Sequence, residues 1–159
     1  MVVPNSSQRL HSCCHKNIAI AEKINRLLGD ELLPGFDTAV SSLLLDLEQR
    51  GMLEDTLVLC LTEHGRTPTV KTKKQGGGRD HWSQAYSVML AGAGVRPGMA
   101  YGASDAKTAF VKDQPTSPED VLATMYHLMG ITPETTVPDR LGRPVRLVAN
   151  GQVIDGLLS

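Results

Sequence analysis

The stretch Asp55-Thr-Leu-Val-Leu-Cys-Leu-Thr62 decides the predicted fold. Its apolar run is nearly continuous and rich in β-forming residues, which is typical of a strand that helices cover on both faces. The apolar character stops at Glu63-His-Gly-Arg-Thr-Pro68, a polar turn at the carboxyl end of the strand. Open α/β sheets place their ligand crevices at that end, so the sequence predicts chemistry in this turn.

Helical patterns lie on both sides of this strand. Apolar residues recur at helical spacing from Asn17 to Leu28 and again from about Leu32 to Arg50, as two segments or as one interrupted near Gly29. Ser117-Pro-Glu-Asp120 combines an N-cap, a proline at the first helical position and acids in the first turn. A helix is therefore predicted from about Pro118 to Met129, where Gly130 stops it.

Two shorter patterns complete the predicted fold. Residues Ala85 to Ala91 are predicted to form a second strand. Near the C-terminus, Asn150-Gly151 separates apolar runs at 143–148 and 152–154, which predicts a β-hairpin. We expect residues 1–16 to be irregular and residues 17–159 to form one α/β domain, in which helices flank the sheet.

Composition excludes several classes of protein. A chain of 159 residues with 41% hydrophobic and 21% charged content fits one globular domain. Sixteen Lys plus Arg against seventeen Asp plus Glu give no global field for nucleic acid or lipid headgroups. The most apolar stretch, Thr56 to Leu61, is far shorter than the roughly 20 residues that span a bilayer, and the first residues lack the layout of a signal peptide. Three cysteines make no disulfide framework, so the compartment stays open.

Glu63, His64 and His81 are the candidate metal ligands. A carboxylate and an imidazole side by side on a strand-end turn supply oxygen and nitrogen ligands to a divalent metal, and a second imidazole from the next loop can join the same or a neighbouring ion. The alternative is that all three are ordinary solvated polar residues. Their convergence after one apolar strand favours the metal site.

Candidate substrate-binding residues lie close by in the sequence. Arg66 and Arg79 would meet a phosphate or sulfate ester with positive charge, and the neighbouring glycines would offer backbone amides. In Gly78-Arg-Asp-His-Trp82, Asp80 is a candidate to orient His81, while Trp82 is predicted to pack. The lysines of the loop are predicted to be solvated: Lys71, Lys73 and Lys74.

The sequence does not support three other kinds of site. His11, Cys13, Cys14 and His15 lack the ligand spacing of a structural zinc site. The run Gly92-Ala-Gly-Val-Arg-Pro-Gly98 departs from the dinucleotide fingerprint, because Pro97-Gly98 discourages the helix that must follow. A phosphate-cradling loop that ends in Gly-Lys-Ser or Gly-Lys-Thr does not occur in the sequence.

The motif Leu61-Thr-Glu-His-Gly65 resembles the strand-end motif of the alkaline phosphatase superfamily, which includes phosphatases, sulfatases and metal-dependent phosphoglycerate mutases. Over about residues 17–158 the chain is also similar to a bacterial sulfatase-like family labelled as domain of unknown function 1501. That similarity is carried by an ordered series of motifs: Glu63-His-Gly-Arg-Thr-Pro68, Gly78-Arg-Asp-His-Trp82, Leu90-Ala-Gly92, Tyr101-Gly-Ala-Ser-Asp105 and Asp139-Arg-Leu-Gly-Arg-Pro144.

The resemblance implies a partial alkaline-phosphatase-like sheet and a two-metal site. Glu63 and His64 would face one divalent metal (Zn, Mn or Ca) and His81 the other. Glu63 stands where Asp is usual, and His64 stands where the family has Phe. His15 is the one residue that corresponds, weakly, to the family's Asp-Thr-His motif. No nucleophile can be assigned, so we expect it upstream of Met1, in an N-terminal half, or on a partner chain.

Two functions follow as hypotheses. The first is the C-terminal part of a metal-dependent hydrolase of small phosphate or sulfate esters, incomplete as an isolated chain. The second is a non-catalytic binding or structural domain that retains a vestigial metal or anion site, since one α/β scaffold hosts many functions. The resemblance also implies export, as to the periplasm.

Overall fold

The computed structural model describes residues 26–72 and 77–159. The predicted irregular segment 1–16, the start of the first predicted helix, His15, Lys73 and Lys74 lie outside them. The described part is a mixed α/β structure with two α-helices and small antiparallel sheets. In chain order its elements are a π-helix Leu27–Leu32, α1 Leu33–Gln49, β1 Val58–Cys60, β2 Gly65–Arg66, β3 His81–Trp82, β4 Met89–Ala91, β5 Ala103–Ser104, β6 Val111–Asp113, α2 Pro118–Leu128, β7 Thr136–Pro138, β8 Pro144–Arg146 and a 3₁₀ helix Asp155–Leu157.

Helix α1 confirms the helix predicted from about Leu32 to Arg50. Pro34 lies in its first turn, where the missing N–H would have no intrahelical partner in any case. Gly51, with a φ of 67°, follows the C-terminal end in the left-handed conformation that closes many helices. The π-helix runs directly into α1, so the predicted interruption near Gly29 is a change of helix type.

Helix α2 confirms the prediction made from Ser117-Pro-Glu-Asp120. The Ser117 hydroxyl accepts a hydrogen bond from the Asp120 amide at 3.1 Å, and the Asp120 carboxylate accepts one from the Ser117 amide at 2.7 Å. This reciprocal capping box satisfies two of the amides that a helix start leaves without intrahelical partners. Gly130, with a φ of 76°, ends the helix as predicted.

The predicted doubly covered central strand is not observed. β1 pairs antiparallel with β4 in a two-stranded sheet, and all three residues of β1 are half-buried. The second strand is shorter than predicted, at Met89–Ala91. Among the described residues all four sheets have two strands. A continuous apolar run thus predicted a strand correctly, but burial on both faces requires neighbours that the run does not specify.

The predicted C-terminal hairpin at Asn150-Gly151 was wrong, because the hairpin is formed by β7 and β8 instead. Asp139 shapes its turn, since one carboxylate oxygen accepts hydrogen bonds from the amides of Leu141 and Arg143. Gly142, with a φ of 76°, takes the left-handed position. The hairpin therefore forms around the turn that the Asp139 side chain stabilises, and not around Asn150-Gly151.

The residues around Asn150-Gly151 lie against α2. The Gln152 amide donates to the Asp120 carboxylate at 2.8 Å, and the Ile154 amide donates to the Thr124 hydroxyl at 3.0 Å. A Cβ on Gly151 would collide with the carbonyl oxygen of Glu119. The fully buried Thr124 also donates to the Asp120 carbonyl. These bonds lock the C-terminal segment to the helix.

The core lies at this junction of α2 and the C-terminal segment. Five buried residues lie there: Ala123, Thr124, Val148, Ile154 and Leu157. Leu90 is buried on β4. Helix α1, in contrast, has no buried residue. In the described part of the chain, no helix has both the length and the apolar character needed to cross a membrane.

Candidate functional site

The candidate ligands lie on an antiparallel hairpin formed by β2 and β3. Gly65 pairs with Trp82, and Arg66 pairs with His81. Backbone hydrogen bonds continue the ladder beyond the strands, from the Thr67 amide to Asp80 and from the Lys71 amide to Gly78, at 3.0 and 2.8 Å. The hairpin therefore places Glu63 and His64, which precede β2, beside His81 on β3.

Gly65 has a steric reason to be glycine. A Cβ at this position would collide with the backbone carbonyl oxygen of Ala85. The chain that leaves the Glu63-His64 turn therefore passes directly against the segment that follows β3. This close approach brings the two halves of the site within reach of each other, and it tolerates no side chain at position 65.

The structure brings the three predicted metal ligands together. Glu63 Oε1 lies 3.7 Å from His81 Nδ1, and the rings of His64 and His81 have centroids 5.3 Å apart with planes tilted by 48°. All three side chains are exposed; the exposed fractions of His81 and Glu63 are 60% and 71%. Glu63 and His64 thus each lie beside His81, and the place where they meet is an open surface.

The donor set can be tested against a divalent metal. The 3.7 Å between carboxylate and imidazole exceeds a good hydrogen bond, which is about 3.2 Å at most. It is close to the roughly 3.4 Å that separates two ligands of a tetrahedral zinc ion with bonds of about 2.1 Å. Within residues 26–72 and 77–159, no group of three or more His, Cys, Asp or Glu side chains is already arranged to hold a metal. Exposed side chains exchange rotamers within nanoseconds, so the His64 ring can adjust.

The three predicted substrate-binding or orienting residues lie on the same hairpin. Arg66 is directly opposite His81 across the two strands, and directly paired residues project from the same face. Asp80 holds Lys71, with Nζ to Oδ1 at 2.7 Å, and the carboxylate that contacts His81 is that of Glu63. Arg79 is exposed and lies two residues before β3. Among the described residues, neither Arg66 nor Arg79 forms an ion pair, so both guanidinium groups are open to an anion.

An aromatic contact behind the hairpin was only partly predicted. Trp82 packs, as expected, with its ring edge-on to Phe110 at a centroid distance of 5.8 Å. Its indole N–H also donates to the carbonyl of Ala109, which ties the site hairpin to the β5–β6 hairpin. Asp105 builds that turn: hydrogen bonds from the Ala109 and Lys107 amides, the former stronger, lower the pKa of its carboxyl. The signal for this turn was Asp105, because aspartate side chains commonly accept hydrogen bonds from the amides that follow them.

Two cavities lie away from these residues. One, of about 210 Å³, is lined by residues that include Glu134 and Arg146, and the other, of about 280 Å³, by residues that include Tyr101 and Asp120. Neither is lined by Glu63, His64 or His81. The candidate site is therefore a surface cluster of one carboxylate, two imidazoles and one guanidinium.

Comparison with known proteins places the chain in a family. No curated protein and no solved structure matches it. The sequence model of the family described as "Protein of unknown function (DUF1501)" matches residues 15–158. Because this match covers nearly all of the chain, the protein belongs to the DUF1501 family.

Proposed function

We propose that the chain is the C-terminal part of a metal-dependent hydrolase of small phosphate or sulfate esters. The observation that carries the proposal is that Glu63 and His64, which precede β2, both lie beside His81 of β3. The types of donor suit Zn, Mn or Ca to different degrees, and two imidazoles favour Zn or Mn. The likeness of Leu61-Thr-Glu-His-Gly65 to the alkaline phosphatase and sulfatase motif also supports this function. In this proposal the chain supplies part of an alkaline-phosphatase-like sheet.

Each residue has a role in this proposal. Glu63, His64 and His81 would hold the divalent cation, whose chemistry when bound is to polarise the ester oxygen and to lower the pKa of the attacking group. Arg66 lies on the same face and would bind the non-bridging oxygens of the ester through charge-assisted hydrogen bonds. Arg79 is a second candidate for that role. Asp80 would act indirectly, by holding Lys71 and so the shape of the hairpin.

The number of ligands argues that the site needs a second polypeptide segment. Two hydrolytic cations require roughly six to eight protein ligands between them. Glu63, His64 and His81 supply three, and the sequence motifs assign no nucleophile to this chain. We therefore propose that further ligands and the nucleophile come from another segment or chain that covers this exposed cluster.

A non-catalytic domain is the second candidate. It is favoured by the openness of the cluster, since about 60 to 70% of the His81 and Glu63 side chains is exposed to water, which competes with a bound substrate. In this case Glu63 and His81 are ordinary neighbours on the surface, and the cluster binds an anion or a metal without turnover.

The first experiment tests whether Glu63, His64 and His81 bind a metal. We expect zinc titrated into the protein to shift the imidazole NMR signals of His64 and His81 and to leave those of His127, an exposed histidine of α2, unchanged. His64→Ala and His81→Ala should each weaken zinc binding at least about tenfold, because each removes one ligand. His127→Ala is the matched control and should bind zinc like the parent chain.

Turnover tests the second step. The isolated chain should show little or no hydrolysis of p-nitrophenyl phosphate or p-nitrophenyl sulfate with Zn, Mn or Ca, because in this proposal the nucleophile belongs to another segment or chain. Equal zinc affinity in the parent, His64→Ala and His81→Ala proteins would contradict the metal site. Robust turnover that disappears in His81→Ala would instead contradict the incompleteness and show that the site is whole.

A further inference from the structure

The first helical segment, the π-helix followed by α1, carries an apolar stripe that nothing in the described structure covers. Leu32, Phe36 and Leu43 are 54%, 49% and 47% exposed, and their spacing of four and seven residues places them on one side of a helix. Val40, Leu44 and Leu47 lie on the same face at helical spacing and are half-buried. The exposed stripe is therefore the open edge of the apolar face of α1.

The same segment is strongly acidic. Between Leu27 and Gln49 there are five acidic residues and no lysine or arginine: Asp30, Glu31, Asp37, Asp46 and Glu48. The ion pair of Asp46 with Arg50 neutralises one of them. A partner of this helical surface must bring apolar side chains together with positive charge, because a second acidic helix would be repelled.

The β7–β8 hairpin has that composition. All of its strand residues are exposed, and Leu141 at its tip is 76% exposed, the highest value among the large apolar residues described. Val137 and Val145 pair across the strands at 43% and 48% exposure. The hairpin contains one acid, Asp139, against three arginines: Arg140, Arg143 and Arg146. It is thus a protruding basic element with an apolar tip.

The tip is also preorganised. Asp139 accepts hydrogen bonds from the amides of Leu141 and Arg143 and pairs with the Arg143 side chain at 2.7 Å. Gly142 donates its amide to the Asp139 carbonyl at 2.9 Å. A turn that is already fixed loses little conformational entropy on docking, which favours its use as a contact element.

From this complementarity we propose that the protein associates head to tail, the β7–β8 hairpin of one copy docking on the Leu32–Phe36–Leu43 stripe of a second copy. Leu141 lies against the stripe, and Arg140 and Arg146 face the acids beside it. The contact is heterologous, so each copy keeps one unused hairpin and one unused stripe, and association continues into short chains or a closed ring. The inference is independent of the metal site.

Complementation of two single-surface variants tests this arrangement. Phe36→Asp removes the stripe and keeps the hairpin, and Leu141→Asp removes the tip and keeps the stripe. Sedimentation velocity of the full chain should show that the parent associates with concentration, that each variant alone has the 17.1 kDa monomer mass, and that their equimolar mixture forms a dimer of about twice that mass and nothing larger. Arg146→Glu should weaken the association of the parent.

Several outcomes would overturn the proposal. A Leu141→Asp protein that still dimerises would show symmetric pairing of helices, and a parent chain that stays monomeric at all concentrations would show that the surfaces do not meet. Raised salt separates the cases further, because it weakens contact between opposite charges and strengthens contact between two acidic helices. Circular dichroism and urea midpoints equal to those of the parent establish that both variants fold; if either is unfolded, Leu32→Ser and Arg140→Glu replace them in the same mixture.

Discussion

Helices α1 and α2 show how differently two well-predicted helices can be held. α2 buries Ala123 and Thr124 completely and binds the C-terminal segment through Asp120 and Thr124. α1 is longer and more apolar in sequence, yet it has no buried residue. The comparison teaches that apolar periodicity predicts a helix, whereas stability depends on whether another element covers the apolar face.

Truncation of a large apolar side chain should show the largest difference between the two regions. Leu157 is only 2% exposed and belongs to the core at the junction of α2 and the C-terminal segment. Leu157→Ala should therefore lower the free energy of unfolding by about 2 to 5 kcal/mol. Leu45 of α1 is 53% exposed, and Leu45→Ala should cost less than about 1 kcal/mol. Urea denaturation of both variants measures this. Equal losses would mean that α1 is as well packed as α2.

Thr124→Val tests the hydrogen bond between the Ile154 amide and the Thr124 hydroxyl, which holds the C-terminal segment on α2. Valine has nearly the same shape but leaves the buried Ile154 amide without its acceptor, which should cost about 1 to 3 kcal/mol. Thr38→Val on α1 is the matched control, and at this exposed position a change within about 0.5 kcal/mol is expected. Equal effects of the two substitutions on the urea midpoint would show that this hydrogen bond adds little to stability.

The pH dependence of stability tests the same junction. Burial raises the pKa of Asp120, but hydrogen bonds from Gln152 and Ser117 outweigh it and hold that pKa below its ordinary value of 3.8. The folded carboxylate thus binds its proton less readily than the unfolded one. Its stabilisation is present above pH 3.8 and is lost as the pH falls through the lower, folded value.

Asp120→Asn is the variant that checks this sign. We expect it to reduce the loss of stability between pH 5 and pH 2, measured by urea midpoints, because asparagine does not titrate. The dependence should be reduced and not abolished, since hydrogen bonds from the Arg143 and Ala109 amides lower the pKa of Asp139 and Asp105 as well. An unchanged slope would show that Asp120 does not couple protonation to folding.

The last comparison concerns two glycines, at which substitution by alanine should change stability in opposite directions. Gly35 lies in α1 with open space around its Cβ position, so Gly35→Ala should stabilise the protein by about 0.5 to 1 kcal/mol. Gly151→Ala should destabilise it, because the new methyl group collides with the Glu119 carbonyl. Opposite signs in thermal denaturation are the expected result. Two losses would indicate that α1 has a neighbour on that side.

The sequence by itself determined the local features of this protein. Ser117-Pro-Glu-Asp120 specified the start of α2, because an N-cap and its reciprocal acid act over four residues. The strand at Val58–Cys60 followed from a short apolar run, and the helix at Leu33–Gln49 followed from short-range periodicity. The grouping of Glu63 and His64 was also local, since the two are adjacent in the chain.

Only the tertiary structure decided which segments meet. The β2–β3 hairpin placed Nδ1 of His81 3.7 Å from Oε1 of Glu63. The carboxylate of Asp80 pairs with Lys71. The tertiary structure also formed the C-terminal hairpin at Asp139 and docked Asn150-Gly151 on α2. Turn signals and apolar runs are read within a few residues, whereas burial and pairing depend on partners that are distant in sequence, so local patterns leave them undetermined.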